Sequence, residues 1–343
     1  MELADVKLFC QGHFSDGLVT IVGSGLSCAE GISGMEALAK HLLLEVPARI
    51  DTDSHESWSE ISKALENGID LENALLSHAP TDQIETAIAA LTADLILEDE
   101  AKVLGEVLNN HRHLRFTKLL KHMLKPNSGI PIITTNYDRL IEVAVECEGL
   151  GIDSLFTGHH IAKHDPVGSR NRLCRSIKQQ GKTVVRSFCD HAVILKPHGS
   201  LDWFRRGTEP VRCTFPIDAP RLIITPGLNK FRGGYNQPFD AHRERANKEI
   251  DNAQRFLILG YGFNDEHLQT HLEQQLLRGM PALLITHSLS PKALQLIGKC
   301  QSLTAIVSDT VGDGAKVHHR GDAQFFPGAN LWDLDTFVTE VFE

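Results

Sequence analysis

The residues best placed to do chemistry fall in four short segments, each directly after an apolar run. Gly23-Ser24-Gly25-Leu26-Ser27 follows residues 18–22 and opens a helical pattern. Glycines there let backbone N–H groups approach a diphosphate, and a helix N-terminus favours its charge. Thr134-Thr135-Asn136-Tyr137-Asp138 follows residues 130–134 with an amide and a carboxylate, and Asp138 also suits an N-cap. Lys196-Pro197-His198-Gly199-Ser200 follows residues 192–195. A histidine at such a point can present an imidazole, the side chain that titrates near neutrality, as a general base. Gly260-Tyr261-Gly262-Phe263-Asn264-Asp265 is a second glycine turn after residues 255–259, where Asn264 or Asp265 can cap the next helix. The ordinary alternative at each place is a plain strand-to-helix turn.

Something must hold these segments together. The four apolar runs, with 282–286 and 221–224 as further candidates, read as buried parallel strands covered on both faces. Helical patterns follow several of them. Ser33 and Glu36 have the form of a capping box before Met35, Leu38, Leu42 and Val46, and Leu140, Ile141, Ala144 and Val145 make a stripe. Ser290, Pro291 and Gly298 mark a start and a stop. The alternation predicts an α/β fold with a doubly wound, Rossmann-like parallel sheet. Residues 47–115 carry helical patterns only and are expected to be a helical insertion, leaving 1–46 and 116–343 as the core domain. Residues 159–190 and 205–252 are expected to be long loops or a small subdomain.

The 343 residues allow one large α/β domain with an insertion. With 34 basic and 44 acidic residues the net charge is −10, which argues against direct nucleic-acid binding. The basic run Arg170, Arg172, Arg175, Lys178, Lys182 and Arg186 could bind a nucleic acid or a partner's acidic face but is expected to be a solvated loop, and Lys230-Phe231-Arg232 is similarly ambiguous. No apolar run is long enough for a membrane span, and no secretory pattern opens the chain. Seven scattered cysteines with no C-x-x-C pair predict reduced thiols and a cytoplasmic protein. His159, His160, His164 and Asp165, with His318 and His319, are expected to be solvated rather than a metal site.

In this order the four segments resemble the sirtuin superfamily, whose chain reads G-A-G-x-S, T-Q-N-x-D, H-G and a late glycine turn. T-T-N-Y-D, K-P-H-G-S, G-Y-G-F-N-D and R-L-I-I-T-P-G (221–227) look like the sirtuin-like NAD-hydrolysing enzymes of bacterial antiphage defence, of the stand-alone kind that partners a HerA-type ATPase. The resemblance implies cleavage of the nicotinamide–ribose bond of NAD to nicotinamide and ADP-ribose, with NAD as substrate, no metal, and a homo-oligomer. It implies that Asn136 orients the ribose or the water and that His198 is the general base. It places Gly23, Ser24, Gly25 and Ser27 at the diphosphate and Asp138 at the nicotinamide carboxamide. Gly260, Tyr261 and Gly262 would lie near the adenosine half, and Thr286 at its ribose. The paired cysteines of the deacylases' zinc module are missing. Gly31-Ile32-Ser33-Gly34-Met35 also lacks the deacylases' shielding Phe, which favours water over transfer. The alternatives are an NAD-dependent deacylase or ADP-ribosyltransferase, and a non-catalytic NAD or ADP-ribose sensor.

Overall fold

The computed structural model describes residues 2–226, 237–309 and 312–343, less the side chains at 266 and 267. Gly227 and Lys230-Phe231-Arg232 lie outside the described residues. The chain begins α1 (Leu3–His13), β1 (Leu18–Val22), α2 (Ser24–Glu30) and α3 (Met35–Glu45). Three helices then follow in succession: α4 (His55–Glu66), α5 (Leu71–Ser77) and α6 (Asp82–Leu108). Asp70 and Thr81 cap the last two by accepting the N–H of Asn73 and Ile84. α7 (Arg115–Leu120), β2 (Ile130–Thr134), α8 (Leu140–Cys147) and β3 (Gly151–Asp153) come next, then β4 (Phe156–Thr157), β5 (Ile161–His164) and α9 (Pro166–Asn171). The middle of the chain is β6 (Cys174–Gln180), β7 (Thr183–Phe188), β8 (His191–Leu195), β9 (Gly199–Arg206), β10 (Glu209–Cys213) and β11 (Arg221–Ile223). It closes with α10 (Phe239–Asn252), β12 (Arg255–Leu259), α11 (Glu266–Leu277), β13 (Ala282–Thr286), α12 (Pro291–Lys299), β14 (Leu303–Ser308), β15 (Gly314–His319), β16 (Asp322–Pro327) and α13 (Leu334–Phe342).

Nine strands form the main sheet in the order β16-β15-β14-β13-β12-β1-β2-β8-β3. From β14 to β3 every neighbouring pair is parallel, and β15 and β16 add an antiparallel edge. Alternate side chains of the parallel strands enter two separate cores, as the period of two requires. Leu257 and Leu259 of β12 pack with α1, α7, α8 and α13, while Phe256 and Ile258 pack with α10, α11 and α12. The sheet is therefore wound on both faces, as the apolar runs predict.

A third core joins Leu38 and Leu42 of α3 and Val46 to Trp58, Ile61, Leu71, Leu75, Ile84 and Ile88. Helices α4–α6 thus pack on α3. The fold also corrects details. Gly34, not Ser33, stands at the N-cap of α3, with no side-chain cap, because the Ser33 N–H donates to Asp99. Ser290 does cap α12, but Gly298 lies within the helix. Residues 221–223 pair with β9 in a second, five-stranded sheet of order β11-β9-β10-β5-β4. The stretches expected as loops hold β5, α9, the β6–β7 ribbon, β10, β11 and α10.

Candidate functional site

The four segments sit at the C-terminal ends of β1, β2, β8 and β12, neighbours in the sheet order β12-β1-β2-β8. Strand C-termini are where open α/β sheets bind ligands. The first cluster joins β1 to β2. Asn136 donates its side-chain amide to the Gly23 carbonyl at 2.9 Å and to Ser27 Oγ at 2.7 Å. The Ser27 hydroxyl in turn donates to Asp138 Oδ2 at 2.6 Å. Asp138 Oδ1 accepts the Leu140 N–H in a local turn, but the N-cap of α8 is Arg139, without a side-chain cap, so the cap expected at Asp138 falls one residue later. All three side chains are buried.

The second cluster joins β8 to the turn after β12. His198 Nε2 lies 2.6 Å from Asp265 Oδ2, close enough to pair, although the angles fall outside those of a hydrogen bond. The other Asp265 oxygen accepts the Leu268 N–H and anchors α11. Beneath, the buried Lys196 donates to the Asp138 carbonyl at 2.5 Å and pairs with Glu142 at 3.0 Å, tying the end of β8 to the start of α8. Burial pushes the Glu142 carboxyl up, against the pull of Lys196. Burial first, then the nearby charges of Asp265 and Glu72, raises the phenols of Tyr137 and Tyr261 above their ordinary range. The Tyr137 hydroxyl donates a hydrogen bond to the Ile224 carbonyl at 2.5 Å.

The glycine turns pack on each other. A Cβ on Gly23 would stand 2.5 Å from the Gly260 oxygen, and one on Gly260 (φ +56°) 2.5 Å from the Leu26 nitrogen. The N–H of Gly23 donates to Leu259 and that of Gly25 to Gly260, both at 2.9 Å. These amides are thus engaged within the protein.

A cavity of about 240 Å³ opens over these clusters. Ser24, Ser27, Asn136, Asp138, His198, Tyr261 and Gly262 line it; Gly23, Gly25 and Gly260 do not. Thr286 faces a small recess of about 50 Å³ on the far side of Gly25 and Gly260, with Arg115 and Trp332, and its hydroxyl donates to Ser288. A larger hollow of about 420 Å³ lies at the opposite end of the strands, around Gly17, Leu18, Gly129 and Ile130. The smaller cavity is the candidate site, because it holds the strand C-termini and the convergent polar groups.

Residues 131–290 match the family model of the SIR2-like domain. Over these residues, a little under half of its length, the chain is similar to that family. The matched span contains Asn136, Asp138, His198, Gly260, Tyr261, Gly262, Asp265 and Thr286; Gly23–Ser27 and the helices α4–α6 precede it. Among solved structures, a sirtuin from work on sirtuin substrate affinity aligns with 100% of this chain and 98% of its own, at 15% identity and a TM-score of 0.46. A SIR2 homologue in complex with NAD aligns with 99% of this chain and 95% of its own, at 15% identity and a TM-score of 0.42. No curated protein matches the chain.

Several residues at the candidate site were given no ligand-facing role from sequence. Glu72 of α5 and Ile96 of α6 reach the cavity, so the helices between β1 and β2 help to form it. Ile224, Pro226, Asn264 and Asp265 also line it. Asp265 carries a signal in sequence only as a helix cap; its place beside His198 depends on β8 and the β12 turn meeting across β1 and β2. Among the described residues, no group of His, Cys, Asp and Glu is arranged to hold a metal ion. Among the same residues, no helix is long and apolar enough to cross a membrane.

Proposed function

We propose that this protein hydrolyses NAD at the nicotinamide–ribose bond. The observation that carries the reading is one cavity, lined by both the Asn136–Ser27–Asp138 cluster and the His198–Asp265 pair. NAD and water would give nicotinamide, ADP-ribose and a proton. The nicotinamide ring is cationic, and as it leaves the positive charge passes to the ribose. Glu72, Asp138 and Asp265 are three carboxylates at the cavity, and they favour that cationic end. Its volume, just below the range of about 300–1,000 Å³ for small-molecule pockets, suits one end of a dinucleotide.

In this reading His198 takes a proton from water or a ribose hydroxyl, and Asp265 holds the imidazole. Asn136 orients the ribose or the water, and Asp138 faces the carboxamide. Ser24 and Ser27 line the cavity and take the diphosphate, Tyr261 and Gly262 lie toward the adenosine half, and Thr286 faces its ribose. Gly23, Gly25 and Gly260 act by holding the two turns together. Residues 47–115 are read as an insertion into the core formed by 1–46 and 116–343. The cellular role proposed is NAD depletion in antiviral defence in the cytoplasm, restrained by homo-oligomeric assembly or a HerA-type ATPase partner, because an unrestrained NADase would poison its own cell.

The test is chromatography of NAD incubated with the purified protein, alone and with such an ATPase. Nicotinamide and ADP-ribose should appear together, and His198→Ala or Asn136→Ala should each lower the rate by about 100-fold or more. Transfer to a protein or to an acyl-lysine peptide in place of free ADP-ribose would favour the transferase or deacylase. Binding without release, even with the partner, would favour a sensor.

A further inference from the structure

The stretch 170–188 contains Arg170, Arg172, Arg175, Lys178, Lys182 and Arg186 and no Asp or Glu, in a chain of net charge −10. It is not a loop. β6 and β7 form a separate two-stranded sheet, paired antiparallel with Lys178 opposite Val185 and Arg186 opposite Ile177. Two of the cations serve its base: the Arg170 guanidinium lies 5.0 Å above the Phe188 ring, and Arg172 donates to the Gly158 carbonyl at 3.1 Å. Asn127 clamps the same end, donating to the Arg186 carbonyl and accepting the Phe188 N–H. From 177 to 187 every residue is exposed. Arg175, Lys178, Lys182 and Arg186 make no ion pair among the described residues.

At about 3.3 Å per residue this arm is about 20 Å long, well over the Debye length of about 8 Å at physiological salt. Its tip is therefore screened from the acidic body, and the net charge averages over two electrostatically separate parts. We infer that the β6–β7 arm binds duplex DNA, with Arg175, Lys178, Lys182 and Arg186 on the phosphates. A run of cations free of carboxylates is what a phosphate backbone attracts. A two-stranded ribbon enters the B-form major groove, about 12 Å wide, whereas the major groove of A-form RNA is too narrow. Between the cations stand Gln179, Gln180 and Thr183, uncharged groups that can donate to phosphates or base edges, and the small apolar Val184 and Val185, which fit thymine methyl groups. This inference is independent of the NAD reading.

Fluorescence anisotropy of a labelled DNA duplex of about 20 base pairs, with the full chain, tests it. Four phosphate contacts give a slope of log affinity against log salt of about −3.6, so binding should weaken about 100-fold between 50 and 200 mM salt. Arg175→Gln with Lys178→Gln should roughly halve that slope. Changing all four residues to Glu should abolish binding while leaving the thermal midpoint unchanged. An RNA duplex of equal length should bind more weakly. No binding at low salt, equal affinity of the variants, or tighter binding of the RNA duplex would each overturn the inference. So would variants that leave DNA affinity intact but lower the sedimentation coefficient of the free protein, for then the arm engages a second copy of the chain.

Discussion

Asp265 holds two elements with one carboxylate: one oxygen caps α11 and the other faces His198. Asp265→Asn keeps the cap acceptor and removes the charge beside the imidazole. Nicotinamide release should fall about 10- to 100-fold with KM for NAD little changed, as steady-state kinetics would show. An unchanged kcat would remove Asp265 from the mechanism. Ser27 is the hinge of the other cluster, accepting from Asn136 and donating to Asp138. Ser27→Ala leaves a buried carboxylate short of a donor and should cost about 1–3 kcal/mol in urea denaturation. A cost near zero would mean that the hydroxyl does not support Asp138. At this scale the sequence was partly legible. Asn136 and His198 stand out because polar residues directly after a buried strand point to the ligand end of the sheet. Asp265, Glu72 and Ile96 do not, because their nearness to the cavity comes from segments far apart in the chain.

The two glycine turns separate structural from ligand-facing roles within one motif. Gly260 has φ +56° and no room for a Cβ beside Leu26, whereas a Cβ on Gly262 would meet Asn264 Nδ2 only at 3.6 Å. Gly260→Ala should therefore destabilise the fold by roughly 2–3 kcal/mol or more. Gly262→Ala should melt within about 1 kcal/mol of the parent. Since Gly262 lines the cavity, that variant should instead weaken NAD binding, measured by calorimetry. Equal melting of the two would mean that the turns do not lock together as the geometry requires. Elements buried on both sides were the readable ones: β1, β2, β12 and β13 have the bounds that their apolar runs imply. The second sheet was not readable in this way, since in β9 the adjacent buried pair Trp203-Phe204 stands between Asp202 and Arg205, with no alternation to mark a strand. The β6–β7 ribbon buries neither face and so leaves no apolar period to find.

Across the whole molecule, buried neutral histidines couple the fold to pH. His13 of α1 is buried with Nε2 2.8 Å from the Phe256 carbonyl on β12, so it joins the first helix to the centre of the sheet. Burial above all, with the Arg255 charge acting the same way against the pull of the Phe256 carbonyl, pushes its pKa from 6.5 down to about 4. Burial, helped by the charges of His164 and Lys196, also holds His242 well below the ordinary value. The unfolded chain takes up these protons near pH 6.5, whereas the native state takes up that of His13 only near pH 4. Between those values the unfolded state binds more protons, so stability rises with pH across the window and is lost as pH falls through it. From His13 alone the loss by about pH 5 is about 2 kcal/mol. His13→Gln keeps a donor for Phe256 without the titration. Urea denaturation at about pH 7 and pH 5 should show the parent losing about 2 kcal/mol more than the variant. Equal losses would mean that the acid sensitivity lies elsewhere, with His242 the next to replace. Because His13 docks α1 on the strand that leads into Gly260, the same acid step should loosen the support of the site before the rest of the sheet opens.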